Sequence, residues 1–184
     1  MRAGDEAAFE RLFDRYAPGL VSFCRHMLGS REEAEDAVQH VFVSAHRSLL
    51  DSDREMHLRA WLYAIARNRC LSVLRARREQ VSLDDVDPAR VSTAGLAAEV
   101  ERREDLRAML GDLQRLPEDQ RAAIVLSELG AHTHDEIAQV LGVRREKVKA
   151  LVFQAREALA GARLARETPC EEIREQLATL RGSS

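Results

Sequence analysis

Apolar residues recur along this chain at spacings of three, four and seven, and seldom in alternation. That is the period of one helix face, so the pattern predicts an all-α protein. Asp5 to Tyr16 puts Ala8, Phe9, Leu12, Phe13 and Tyr16 on one side. Pro18 suits the first turn of a continuation to Leu28, which Gly29 stops. Ser30-Arg31-Glu32-Glu33 is a capping box opening a second helix, with an acidic first turn and a seam of Ala34, Val38, Val41, Phe42 and Ala45. Leu58 to Arg78 reads as a third helix, with Leu58, Leu62, Ile65, Cys70, Val73 and Ala76 near one stripe.

The second half repeats the logic. Glu99 to Leu116 is a helix expected to bury Leu106, Met109, Leu110 and Leu113. Pro117 opens the next, whose apolar members are Ile124, Val125, Leu126 and Leu129. Thr133-His134-Asp135-Glu136 is another capping box, starting a short helix that Gly142 ends before a longer one from about Arg144 to Ala160. Ile137, Val140, Leu141, Val143, Val148 and Val152 pack this pair together, a helix-turn-helix pattern. Leu151, Val152 and Phe153 are consecutive, and one helix face cannot bury all three. One of Leu151 and Phe153 therefore needs another partner.

The polar stretches divide the chain. Glu79 to about Leu96 is acidic and broken by Pro88 and Gly95, which reads as a flexible linker. The expected organisation is two small helical domains, 1–79 and 99–165, with the linker at 80–98 and an extension at 166–184. In that extension Thr168-Pro169-Cys170-Glu171 is a third capping box, and Cys170, Ile173, Leu177 and Leu180 form one apolar face. This tail helix is expected to dock near Phe153 or to bind a regulator.

Composition narrows the function. Hydrophobic residues make up 45% of the 184 residues and aromatics only 4%, enough for packed cores. The net charge is −3, so any affinity for nucleic acid must come from segregated patches. Three scattered cysteines, Cys24, Cys70 and Cys170, suit free thiols in a reducing cytoplasm. No apolar run approaches a membrane span and no signal peptide is visible, so a soluble cytoplasmic protein is expected. Cys24-x-His26 and His132-x-His134 hint at metal, yet no tetrahedral ligand set accompanies them. Neither a phosphate-binding Gly loop nor paired catalytic carboxylates can be found, so neither a cofactor nor an enzymatic activity is expected.

The third helix carries the chemistry. Leu58 to Arg78 holds six arginines and no acidic residue, and its Arg67, Asn68, Arg75 and Arg78 project away from the apolar seam. An uncompensated cationic flank is the footprint of a polyanion site. The run from Arg59 and Trp61 through Ile65-Ala66-Arg67-Asn68-Arg69-Cys70 to Arg75 resembles regions 2.3 and 2.4 of extracytoplasmic-function (ECF) bacterial sigma factors. Ala34-Glu35-Asp36-Ala37-Val38-Gln39-His40-Val41-Phe42 resembles their region 2.2, with His40 and His46 where the family usually has Glu and Trp. Leu116 to Gly130 resembles region 4.1.

The resemblance implies a subunit that lends promoter recognition to RNA polymerase core. It assigns Glu35, Asp36, Gln39, His40 and Phe42 to the β′ clamp helices, and region 4 to the β flap. Asp51, Ser52, Asp53, Arg59, Trp61, Arg67, Asn68, Arg69 and Arg75 would grip and open the −10 element, the Asp51–Asp53 loop holding a flipped base. Arg144, Arg145, Lys147, Lys149 and Arg156 would enter the −35 major groove, although Arg144 stands where the family has Ser or Thr. An anti-sigma factor or other regulator is the further expected partner. The alternatives are a stand-alone helix-turn-helix regulator, which leaves the region 2.2 block unexplained, and a module whose region 4 mainly binds a regulatory protein.

Overall fold

The computed structural model describes residues 3–50, 57–81, 97–130 and 132–168, with no strand among them. The elements are α1 (Ala3–Leu28), α2 (Arg31–Leu50), α3 (Leu58–Val81), α4 (Ala97–Arg115), α5 (Glu118–Leu129), α6 (His134–Leu141) and α7 (Arg145–Glu167). Helices α1, α2 and α3 pack mutually as one bundle, and α5, α6 and α7 as another, with α4 lying against α1 and α7. The two groups also touch directly, α3 against α6 and α1 against α5.

The first bundle closes over Leu20, Phe23, Cys24 and Met27 of α1, Val38, Val41 and Phe42 of α2, and Leu62, Ala66 and Cys70 of α3. Burying side chains of this size contributes roughly 1.5–3 kcal/mol apiece. The α2 seam is the expected one. On α3 the stripe is rotated: Ala60, Tyr63 and Ala66 are buried, whereas Leu58, Ile65 and Val73 are only half-buried. The small Ala60 and Ala66 are inside because α3 packs against α1, α2 and α6 together, which widens its buried face.

Three expectations are corrected. Helix α1 is continuous and carries Pro18 in its interior, so Pro18 starts no first turn. Leu106 and Met109 of α4 are each 52% exposed, because α4 has neighbours along one narrow side only. Helix α7 runs on to Glu167, where Thr168 donates its N–H (3.0 Å) and Oγ1 (2.8 Å) to the Leu164 carbonyl. The Leu151–Phe153 conflict is settled in favour of Leu151: Leu151 and Val152 are buried, and Phe153 is 66% exposed.

The helix-turn-helix has well-formed ends. Thr133 and Glu136 form a reciprocal capping box on α6. Those same bonds hold the Glu136 carboxyl below its usual range. Gly142 adopts φ 65°, the left-handed conformation a side chain resists, and turns the chain into α7. Ile137, Val140, Leu141, Val148, Leu151, Val152 and Ala155 fill the space between the helices.

Candidate nucleic-acid interface

Helix ends leave their last four carbonyls without intrahelical partners. At the C-terminus of α1 all four are satisfied, three of them by side chains distant in sequence. Gly29, at φ 77°, donates its N–H to Arg25 O (2.8 Å). Gln114 Nε2 reaches His26 O (2.6 Å), Arg121 Nη1 reaches Met27 O (2.6 Å), and Arg77 Nη1 reaches Leu28 O (2.9 Å). Burial lowers the pKa of both arginines from the ordinary guanidinium value. Their charge sits where the helix dipole is negative, which favours it. Arg77 also pairs with Glu33, tying the start of α2 to α3.

The cationic side of α3 divides into two sets. Asn68 and Arg75 are exposed, and Arg69 is half-buried. Arg59 and Arg67 are engaged with the second bundle. Arg59 donates to the Gly130 carbonyl and stands 3.6 Å from Glu136 Oε1. Arg67, only 14% exposed, holds Asp119 Oδ1 at 2.5 Å. Arg78, one helical stretch further, pairs with Glu118. Sequence reasoning placed Arg59 and Arg67 among free DNA ligands; here carboxylates of α5 and α6 occupy them. Trp61 is half-buried against the core.

Beside these ion pairs Tyr63 and His132 meet edge to face, ring centroids 4.5 Å apart. Both are buried, and burial raises the Tyr63 pKa. Burial, with Arg59 nearby, lowers that of His132 to about 4, so its ring is neutral at pH 7. A Cβ on Gly130 would run into the His132 ring. His132 was weighed as a metal ligand, but among the described residues no His, Cys, Asp and Glu group could hold an ion. Cys24 and Cys70 are free, buried thiols, and their mutual contact together with burial raises the Cys70 pKa.

On α2, Glu35, Asp36, Gln39 and His40 are all exposed along one side. Phe42, grouped with them from sequence, faces the core, where its ring meets Phe9 and Phe13 at 6.1 and 4.7 Å. At the start of α7, Arg144, Arg145, Lys147 and Lys149 are exposed. Arg145 lies 3.6 Å from Asp135, and Arg156 pairs with Glu128 of α5. Asp51, Ser52 and Asp53, and likewise Cys170, Ile173, Leu177 and Leu180, lie outside the described residues. What sequence reasoning missed was the partner set Gln114, Glu118, Asp119, Arg121 and Gly130. Glu118, Asp119 and Arg121 were visible as charges at the start of α5, but nothing in the periodicity says which helix they meet.

No helix among the described residues is long and apolar enough to cross a membrane. Family models for sigma-70 region 2 and sigma-70 region 4 match residues 12–80 and 107–159. The ECF RNA polymerase sigma factor SigM of Mycobacterium tuberculosis is 33% identical over 160 residues, covering 86% of this chain and 78% of that protein. The ECF RNA polymerase sigma-E factor of Escherichia coli is 30% identical over 169 residues, covering 86% and 88%. Among solved structures, the sigma factor RpoE of Bartonella quintana in complex with the anti-sigma factor NepR matches with TM-score 0.68 at 26% identity, covering 84% of this chain and 96% of that one. CnrH in complex with the cytosolic domain of CnrY matches with TM-score 0.68 at 26% identity, covering 89% and 92%. Carrying both matched regions in order, one on the α1–α3 bundle and one on α4–α7, the chain belongs to the ECF family of RNA polymerase sigma factors.

Proposed function

We propose that this sigma factor binds RNA polymerase core through the exposed side of α2, with Glu35, Asp36, Gln39 and His40 meeting the β′ clamp helices. It then directs initiation by reading two DNA elements with two helices. On α3, Arg59, Arg67, Asn68, Arg69 and Arg75, with Trp61 and the Asp51–Asp53 loop, grip the −10 element. On α7, Arg144, Arg145, Lys147, Lys149 and Arg156 read the −35 element. The observation that carries this reading is that each matched region holds its own exposed basic residues, Arg75 on α3 and the Arg144–Lys149 cluster on α7. Two separated clusters suit two DNA sites better than one.

Residues 1–79 and 99–165 serve as the two domains and 80–98 as their tether. The work is done in the cytoplasm, with catalysis left to the polymerase. One solved relative was captured with the anti-sigma factor NepR and the other with the cytosolic domain of CnrY, which supports a protein regulator for this chain too. The tail's Cys170, Ile173, Leu177 and Leu180 serve as an apolar face for the exposed Phe153 or for such a regulator.

The test is capture of bacterial core polymerase by the purified chain, followed by run-off transcription on genomic fragments. Capture with discrete promoter-specific transcripts is expected. Duplex DNA binding without capture of polymerase would overturn the reading in favour of a stand-alone regulator.

A further inference from the structure

A cavity of about 640 Å³ opens where the C-terminal part of α3 meets the end of α4 and the start of α5. That volume lies in the range of small-molecule sites. Four guanidiniums line it: Arg77 and Arg78 from α3, Arg115 at the end of α4 and Arg121 in α5. The lining holds a single carboxylate, Glu118, and its apolar wall is Leu74, Leu116 and Pro117. None of these arginines belongs to the polymerase-binding or promoter-reading sets assigned above.

The four are graded in depth. Arg121 forms the floor at 5% exposure; its Nη atoms serve four acceptors, while its buried Nε has no partner. Arg77 is half-buried and tied to Leu28 O and Glu33. Arg78 and Arg115 stand at the mouth, their side chains 69% and 79% exposed. Each rests on a neighbouring carboxylate, Arg78 on Glu118 and Arg115 on Asp112 at 2.9 Å. Burial first, then repulsion from Arg78 and Arg77, lowers the Arg121 pKa, and Glu118 offsets part of this. The start of α5 adds the positive end of a 12-residue helix, whose cap Pro117 makes no side-chain hydrogen bond.

We infer that this cavity binds a small oligophosphate, a ligand of two or three linked phosphates either free or carried by a nucleoside. Guanidinium forks pair with phosphate oxygens in bidentate fashion, and linked phosphates gather several such acceptors in one compact body. Arg78 and Arg115 close on the ligand from the mouth, Arg78 exchanging Glu118 for phosphate. Arg121 supplies fixed positive charge beneath it. No aromatic ring lines the cavity, so a base finds no stacking platform and recognition rests on the phosphates. A nucleic-acid backbone runs along a convex surface; it would meet the two exposed arginines and miss the recessed Arg121.

Titration calorimetry and thermal melts of the full chain, without magnesium and at fixed ionic strength, test this with inorganic triphosphate and guanosine triphosphate as probes. One ligand per chain is expected, with a rise in Tm of about 5–10 °C at a hundredfold excess over Kd. Arg78→Gln with Arg115→Gln, both on exposed side chains, should weaken binding at least about tenfold. Arg11→Gln with Arg163→Gln, the same charge change on exposed positions of α1 and α7, should leave binding unchanged. Glu118→Gln should tighten it, since the ligand no longer competes for Arg78. Triphosphate and the nucleotide binding equally would show that the phosphates alone are read; tighter nucleotide binding would add the nucleoside to the ligand. Absence of binding, or equal losses in the Arg78/Arg115 variant and its control, would overturn the inference. So would displacement of triphosphate by a short single-stranded DNA without terminal phosphates at equal or lower concentration, because the cavity would then read a nucleic-acid backbone.

Discussion

Replacing Arg121 by Met keeps most of the side-chain volume and removes the charge and the fork. Arg121 is 5% exposed, and its guanidinium donates to Met27 O at 2.6 Å, Gln114 Oε1 at 2.9 Å, Gln114 O at 2.5 Å and Leu116 O at 3.1 Å. Three of these acceptors are main-chain carbonyls at or just past the ends of α1 and α4, where no intrahelical N–H can serve them. Each hydrogen bond from a charged donor is worth about 1.5–3 kcal/mol when its loss leaves a buried acceptor unpaired. Against that stands relief of the desolvation that already lowers the Arg121 pKa. A net loss of about 3 kcal/mol follows, within the range for breaking one side of a buried charged network. For a chain of this size that is a fall in Tm of roughly 6–12 °C. Calorimetry and urea titration at fixed pH would measure it. Arg121→Lys should recover little, because one ammonium cannot span carbonyls of two helices. A loss below about 1 kcal/mol for the Met variant, or full recovery by Lys, would refute the reasoning.

Leu151→Ala should cost about 2–4 kcal/mol, since Leu151 is buried between α7 and its neighbours, while Phe153→Ala should change stability by under about 0.5 kcal/mol because the ring is 66% exposed; chemical denaturation compares them. His132 supplies a pH dependence: its folded pKa of about 4 lies below the unfolded 6.5, so the neutral ring is the stable form. Stability is fully present above pH 6.5 and is lost, at up to about 1.4 kcal/mol per pH unit, as pH falls from 6.5 toward 4. His132→Phe should flatten that limb of a Tm–pH plot, and an unchanged limb would clear His132 of the effect. Asp36→Arg, on the exposed side of α2, should abolish polymerase capture while leaving the circular dichroism melt intact. Retained capture would move the docking surface elsewhere.

The helices, their caps and the helix-turn-helix were legible in the sequence because local physics writes them. Apolar period, the Thr133–Glu136 box and Gly142 act within a turn or two; the box and Gly142 hold in the structure, while the period finds the helices but misplaces the buried stripe of α3 and part of that of α4. The ECF identity was legible for a related reason: the Arg67-Asn68-Arg69 and Glu35-Asp36 blocks are short, ordered and separately recognisable. The conflict at Leu151 to Phe153 was visible as a conflict, but its outcome was not. Both residues fit an apolar pattern, and only the direction of approach of α5 and α6 decides that Leu151 turns inward. Phe42 stood both in the apolar seam and among the polymerase contacts, and the packing of α1 on α2 puts it in the core.

What the tertiary structure alone decided is which charges meet. An arginine at position 67 announces a cation; whether it faces solvent or Asp119, 52 residues away, depends on how two bundles are placed. The sequence determined an all-α chain with two basic helices, because helix period and charge are properties of neighbours in the chain. Tertiary packing determined that Arg59 and Arg67 on one of those helices are engaged while Asn68 and Arg75 stay exposed, because long-range electrostatic pairing is fixed by domain placement and leaves no periodic trace in the residues that make it.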